Sequence, residues 1–194
     1  SFGSNAESSL TNCLFVDNVA SDDGGALTVG DFTEVSISDS TFSGNRASDG
    51  GAVHAELGGL SLVDSELESN TASGRDGGLF ASGFELDAQR VVFSGNIASG
   101  NGGGAALATG VIGSDTVSVG EHNGAVNGGG MHVASVVDVD VSNLTLVNNI
   151  ATNDGAAVYV QDEGVVLTNL LGMFNTGDTG CYQQGEADTF AITY

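Results

Sequence analysis

The chain has 194 residues, with 25 acidic side chains against three arginines and no lysine, for a formal net charge of −22. Such a field repels phosphate backbones and anionic membranes, so nucleic-acid binding is excluded, while cations and salty surroundings are favoured. Apolar residues make up 40% of the chain and are spaced periodically, which argues against disorder, and no run is long enough for a transmembrane helix.

Along the chain, the first element is a short run ending on Phe15, followed by Asn18 and Ala20. Asp23-Gly24-Gly25 then precedes Leu27-Thr28-Val29, an alternating strand. Val35-Ser36-Ile37 alternates again and is broken by Asp39, after which a second short strand ends on Phe42. The order then repeats, with Asn45, Ala47, Asp49-Gly50-Gly51, Leu60-Ser61-Leu62, Asp64 and Leu67. Asn70, Ala72 and Asp76-Gly77-Gly78 open the third round, and Phe93, Asn96, Ala98 and Asn101-Gly102-Gly103 the fourth. Asn123, Ala125, Asn127-Gly128-Gly129 and Met131-His132-Val133 follow. The last clear round holds Val139-Asp140-Val141, Asn143, Leu146, Asn149, Ala151, Asp154-Gly155-Ala156 and Val158-Tyr159-Val160. The recurring asparagines are spaced by 27, 25, 26, 27 and 26 residues.

Period-two runs of three to five residues, bounded by Asn, Asp and Gly, are strands and turns. A coil of this kind cannot bury its own apolar face, whereas stacked coils can, each strand bonding to its equivalent above and below. The expected fold is all-β: a parallel β-helix, or β-solenoid, of about seven coils of ~26 residues with three short strands each. Residues 1–194 form a single domain, expected to be a fragment of a larger protein. Regular coils run over about 10–175, and 176–194 form an end cap or altered coil. The Phe/Leu and Ala columns are core. Asn18, Asn45, Asn70, Asn96, Asn123 and Asn149 are expected to form a structural amide ladder at a bend. The glycines supply φ > 0 at a sharp turn, and the Asp or Asn before each pair suits an Asx-type turn.

The repeat Phe-x-x-Asn followed by Gly-Gly-Ala resembles that of polymorphic outer membrane proteins. It stands here as Phe15-Val16-Asp17-Asn18 with Gly24-Gly25-Ala26, and as Phe42-Ser43-Gly44-Asn45 with Gly50-Gly51-Ala52. Looser copies begin at Leu67 and Phe93. The resemblance implies a right-handed, pectate-lyase-like β-helix in a protein that is extracellular or on the cell surface, often an adhesin. It carries over no catalytic site. The fifth coil departs from the pattern, with Gly120 in the aromatic slot and Glu121-His122-Asn123-Gly124 at the bend. The seventh loses the motif after Phe174-Asn175.

The candidate sites are few. Asp23, Asp49 and Asp76, if stacked about 5 Å apart, would repel one another and invite Ca²⁺, although Asn101 and Asn127 in the same slot favour a turn-forming role. His54 and His132 share an outward slot with Thr28, Ala106 and Tyr159, three coils apart, and read as lone surface histidines; His122 lies in the atypical coil. Arg46 and Arg75 read as solvated turn residues, and Arg90 has no evident partner. Asp138 and Asp140 form an outward i, i+2 carboxylate pair about 7 Å apart, a spacing compatible with acid/base chemistry but also with a solvated strand face. Asn143-Leu144-Thr145 is a glycosylation sequon at a bend. Cys13 and Cys181, about six coils or 29 Å apart, cannot bridge each other. They either stay reduced or pair with cysteines elsewhere.

The sequence therefore points to a structural or adhesive surface module without catalytic activity, needing no cofactor, with Ca²⁺ the one cofactor to consider. Its partners would be other extracellular proteins, glycans, or further copies met through the solenoid ends. The alternatives are a polysaccharide lyase, hydrolase or epimerase with its site in the fifth coil, an ice-binding solenoid, and a filament or appendage subunit.

Overall fold

A computed structural model describes residues 7–82, 84–107, 110–112, 118–134, 139–161, 165–184 and 191–193. The chain is an all-β solenoid in which every strand pairs in parallel with its equivalent one coil away. Three faces are built from three- to six-residue strands. The first face is represented by Glu34–Ser38, the second by Thr41–Ser43 and the third by Val53–Glu56. Second and third faces each hold seven strands, so about six full turns separate the end coils. The first face is split into a five-stranded and a three-stranded sheet.

Five coils carry one strand more than the three expected, and in the first and last described coils the same place holds a single bridge residue, Val19 or Thr176. A two-residue strand follows the asparagine bend, as in Arg46–Ala47, Thr71–Ala72, Ile97–Ala98, Gly124–Ala125 and Ile150–Ala151. The asparagine holds the bend, which leaves the next two residues extended and free to pair with their neighbours.

Alternation sets the core. On the first face Val35, Ile37, Leu60 and Leu62 point inward and are buried, while the serines between them face out. Phe42, Leu67, Phe93 and Leu146 form the inner column of the second face, and Phe15 stacks on Phe42 with ring centroids 4.7 Å apart. Each such side chain contributes roughly 1.5–3 kcal/mol on burial, and in a solenoid that gain is shared only with adjacent coils.

The chain turns through left-handed residues at fixed slots. Asp39, Asp64, Arg90, Asn143 and Asn169 occupy one such slot (φ 49–55°), and Gly24, Gly50, Gly102, Gly128 and Gly155 another (φ 60–72°). The second glycine of each pair serves close approach instead. A Cβ on Gly25 or Gly51 would stand 2.2 Å from the carbonyl oxygen of the next coil's glycine.

The fifth coil keeps its register despite Gly120. Gly120 pairs opposite Leu146, whose Cδ2 would lie 2.7 Å from a Cβ there, so Leu146 fills the space an aromatic ring leaves. In the seventh coil it is Gly172, not Phe174, that takes the inner slot, while Phe174 is 78% exposed.

Candidate functional site

Three clusters of polar side chains emerge from this frame. The first is the asparagine column. Asn45, Asn70, Asn96, Asn123 and Asn149 are fully buried. Each Oδ1 accepts both the backbone N–H and an Nδ2–H from the preceding coil's asparagine, at 2.8–3.1 Å. Each Nδ2 also donates back to a carbonyl, as Asn70 does to Phe42 and Asn96 to Leu67. Asn18 begins the ladder. A seventh member, Asn175, extends it by accepting from Asn149 at 2.9 and 3.0 Å. Its place was readable in the spacing of 26 from Asn149 to Asn175, but the missing Gly-Gly-Ala concealed it.

The second cluster lies on the outer side of the third face. Register aligns Thr28, His54, Phe80, Ala106, His132, Tyr159 and Tyr182 in one row. The row faces away from the core, yet His54, Phe80, His132 and Tyr159 are all buried, so these histidines are not the surface residues expected. Two effects close the row. The glycine turns lie against it, so that a Cβ on Gly24 would meet Thr28 Oγ1 at 2.6 Å and one on Gly155 would meet Tyr159 Cβ at 2.7 Å. The rings also cover one another. His54 stacks on Phe80 at 4.7 Å, His132 tilts onto Tyr159 at 5.5 Å, and Tyr159 stacks on Tyr182 at 5.3 Å. Tyr159 donates its hydroxyl proton to Gln184 Oε1 at 2.7 Å, and burial, with Tyr182 and Asp154 nearby, raises its pKa.

Charged groups edge this row. Arg75 clamps the Asp49 carboxylate at 2.9 and 3.3 Å, with its guanidinium 5.3 Å from the Phe80 ring centre. Burial alone would raise the Asp49 pKa, but hydrogen bonds from the Arg75 backbone and side chain outweigh it and hold the carboxyl below its ordinary value. His54 Nε2 stands 3.8 Å from Asp23 Oδ2 and 3.9 Å from Glu56 Oε1.

Asp76 does not stack with Asp23 and Asp49. Asp49 N–H donates to Asp23 Oδ1 and Arg75 N–H to Asp49 Oδ1, so Arg75 holds the third place of that column. Asp76 falls one position later, in the left-handed slot that other coils give to glycine, at φ 68°. It is 1% exposed, and neither carboxylate oxygen has a hydrogen-bond partner. Burial raises its pKa well above the ordinary carboxylate value; Arg75 offsets this in part and Asp49 adds to it. Coil three has the residues Arg75-Asp76-Gly77-Gly78 where a Gly-Gly pair aligned by sequence alone hides the one-residue offset.

The third cluster is a shallow trough on the outer side of the first face, where two adjoining depressions are lined by Glu7, Ser9, Glu34, Ser36, Ser61 and Asp87. Ser9, Ser36, Ser61 and Asp87 are register partners, so the hydroxyls repeat at the coil spacing of about 4.8 Å.

The remaining sequence candidates are separated from these clusters. Arg90 does have a partner, Asp64 of the preceding coil, at 2.6 and 2.8 Å. Arg46 is exposed on its two-residue strand. Asn143 sits at the bend before Leu144–Val147, where its Oδ1 accepts from Asn169 at 3.0 Å. Asp140 lies on Val139–Ser142, and its sequence partner Asp138 falls outside the described residues. Among the described residues, no three His, Cys, Asp or Glu side chains gather in a metal-holding group. Cys13 and Cys181 are both free thiols.

Two segments of the chain, residues 39–56 and 90–108, match the model of the Chlamydia polymorphic membrane protein repeat. Both windows run from the left-handed bend through the second-face strand, the buried asparagine and the glycine turn into the third-face strand. No curated protein and no solved structure matches the chain. The repeat points to an outer-membrane or cell-surface protein, and no helix is long and apolar enough to cross a membrane among the described residues.

Proposed function

We propose that the chain is a non-catalytic structural and adhesive module of a cell-surface protein: a stiff acidic rod that presents a binding face. The observation that carries this reading is the seven-membered asparagine ladder, in which the most regular polar groups of the sequence are spent on one another. Two of the three arginines are neutralised by aspartates of the preceding coil, so neither offers a free cation to an anionic substrate.

The serine trough of the first face is the binding surface in this proposal. Hydroxyls and carboxylates repeating along a flat sheet can donate to and accept from the hydroxyls of an extended glycan, and their repeat favours a polymer over a small ligand. A glycan array and a cell-adhesion assay test it. Binding by the native chain, lost on Ser36→Leu/Ser61→Leu with unchanged circular dichroism, is expected. Turnover of a polysaccharide by the purified chain would overturn the non-catalytic reading.

A further inference from the structure

The bend that leads into the first face carries two side chains that folding does not use. Phe32 lies between Leu27–Val29 and Glu34–Ser38, and Leu57 holds the same place one coil on, between Val53–Glu56 and Gly59–Val63. Both stand in the left-handed region, at φ 55°. Elsewhere among the described residues such positions go to Asp, Asn, Ser, Arg, His or Gly, and to one other apolar side chain, Phe174. A bulky side chain is disfavoured there, and neither residue recovers the loss by burial: Phe32 is 68% exposed and Leu57 50%.

The two are held side by side. Phe32 N–H donates to Leu57 O, and Gly59 N–H donates to Thr33 O. A Cβ on Gly58 would stand 2.3 Å from Thr33 O, so the absence of a side chain there lets the two bends close to the coil spacing of about 4.8 Å. The result is an apolar ledge across two coils. Glu34 and Gly59 follow it by two residues, about 7 Å along an extended chain, and belong to the serine trough. Burial alternates without a break from the ledge into the trough: Phe32, Glu34 and Ser36 are exposed, while Thr33, Val35 and Ile37 are buried. Ledge and trough therefore open on the same side. Gly59 deepens the trough where they meet. A Cβ there would touch only the Glu34 side chain, at 3.4 Å or more, and Ser36, Ser61 and Asp87 line the rest of the depression.

We infer that Phe32 and Leu57 are the stacking platform of the trough, and that its ligand is an uncharged glycan chain lying across both. The inference rests on the reading of the trough as a glycan surface and names the class of glycan it takes. A sugar ring has an apolar CH face and a polar rim. The CH face fits the ledge, where the electron-rich face of the Phe32 ring attracts it, and the rim hydroxyls donate to the carboxylates and serines of the trough. An exposed apolar patch rimmed by polar groups marks a ligand groove, and strained backbone kept at the surface marks a position held for function. Charge selects within the class. Glu34 and Asp87 line the trough, the sequence has no lysine, and Arg75 and Arg90 are taken up by Asp49 and Asp64, while Arg46 stands on a different sheet. Uronates and sulfated sugars are therefore repelled.

Isothermal titration calorimetry of the full chain tests it, with neutral hexasaccharides of α-linked glucose, β-linked glucose and N-acetylglucosamine, and with hexagalacturonate. The native chain should bind at least one neutral probe, with little change between about 0.01 and 0.15 M salt, and should not bind hexagalacturonate. Phe32→Asn and Leu57→Asn should each weaken that binding, the first by about tenfold or more, while Phe32→Tyr binds as the native chain does. Asparagine tolerates the left-handed region, so both Asn variants should keep native circular dichroism and a urea midpoint at or above the native one, which separates lost binding from lost folding. Native affinity in Phe32→Asn overturns the inference; if Ser36→Leu/Ser61→Leu still loses binding, the glycan reading of the trough stands without it. Equal affinity for hexagalacturonate overturns the inference as well. So does a chain that binds glycans on the array but no neutral hexasaccharide, whereas a blank array overturns the inference and the glycan reading together.

Discussion

The asparagine bend and the glycine turn are both crossed once per coil, and both bury polar groups, but they do so on opposite terms. At the bend, five asparagines are fully buried and each has its carbonyl and amide bonded to adjacent coils. At the turn, one aspartate replaces a glycine and lies buried with neither oxygen bonded. A buried polar group is inexpensive when its neighbour supplies the complementary group, and a repeat guarantees that neighbour. Asp76 breaks the repeat by one residue and loses the guarantee.

Removing a rung should therefore do the most damage. Asn70→Ala leaves the Asn45 N–H and Nδ2 without their acceptor and the Phe42 carbonyl without its donor, all in a buried column. At roughly 1–3 kcal/mol for each orphaned group, a loss on the order of 3–6 kcal/mol follows, read as a lower urea midpoint. Coils three and two would unfold before the ends do, since each contacts only its neighbours. A loss below about 1 kcal/mol would mean that the ladder is a by-product of stacking and not one of its causes.

The two regions also differ in how legible they were. The asparagine ladder, the Phe/Leu column and the parallel stacking were visible because each is a strict repeat, and a repeat in sequence becomes a column in space. The offset at Arg75-Asp76 was not, because Asp-Gly-Gly looks the same whether its aspartate or its first glycine fills the left-handed slot; only the pairing of Arg75 with Asp49 settles it. Nor was the burial of His54 and His132, since period two distinguishes inside from outside but says nothing about turns that fold back over the outer row. The short strand after each asparagine was missed because two residues carry no period. The serine trough was hidden for a related reason: Ser36 and Ser61 were read as the solvent side of an alternation, and their alignment across coils has meaning only once the sheet is formed.

Correcting the turn should stabilise the chain by less than breaking the bend harms it. Asp76→Gly restores the residue of the other coils, removes an unbonded carboxyl and relieves a side chain from the left-handed region. A gain of about 1–3 kcal/mol at neutral pH is expected. The sign of its pH dependence follows from the raised pKa. The folded chain holds the Asp76 proton more tightly than the unfolded chain, whose ordinary value is 3.8, so this group favours the native state most below about pH 4, and that contribution is lost as pH climbs through the folded value. The advantage of the glycine variant should therefore be smallest in acid and grow toward neutral pH. Parallel denaturation curves of both proteins at several pH values check this, and an advantage that shrinks as pH rises would contradict it.

The smallest effect is expected at the shortest ion pair among the described residues. Arg90 Nε lies 2.6 Å from Asp64 Oδ1, yet both side chains are about half exposed. Arg90 raises no question of burial: its bond lowers the Asp64 pKa, but water on every side screens the attraction and both long side chains must be ordered to make it. Arg90→Gln should thus leave the urea midpoint within error at physiological salt, in contrast to the loss expected at the buried Asn70. The substitution keeps a side chain in the same left-handed slot, so backbone strain is unchanged and any shift reports the pair alone. A midpoint that drops with Arg90→Gln at low salt and recovers at high salt would show that surface charge, and not only the buried ladder, holds adjacent coils together.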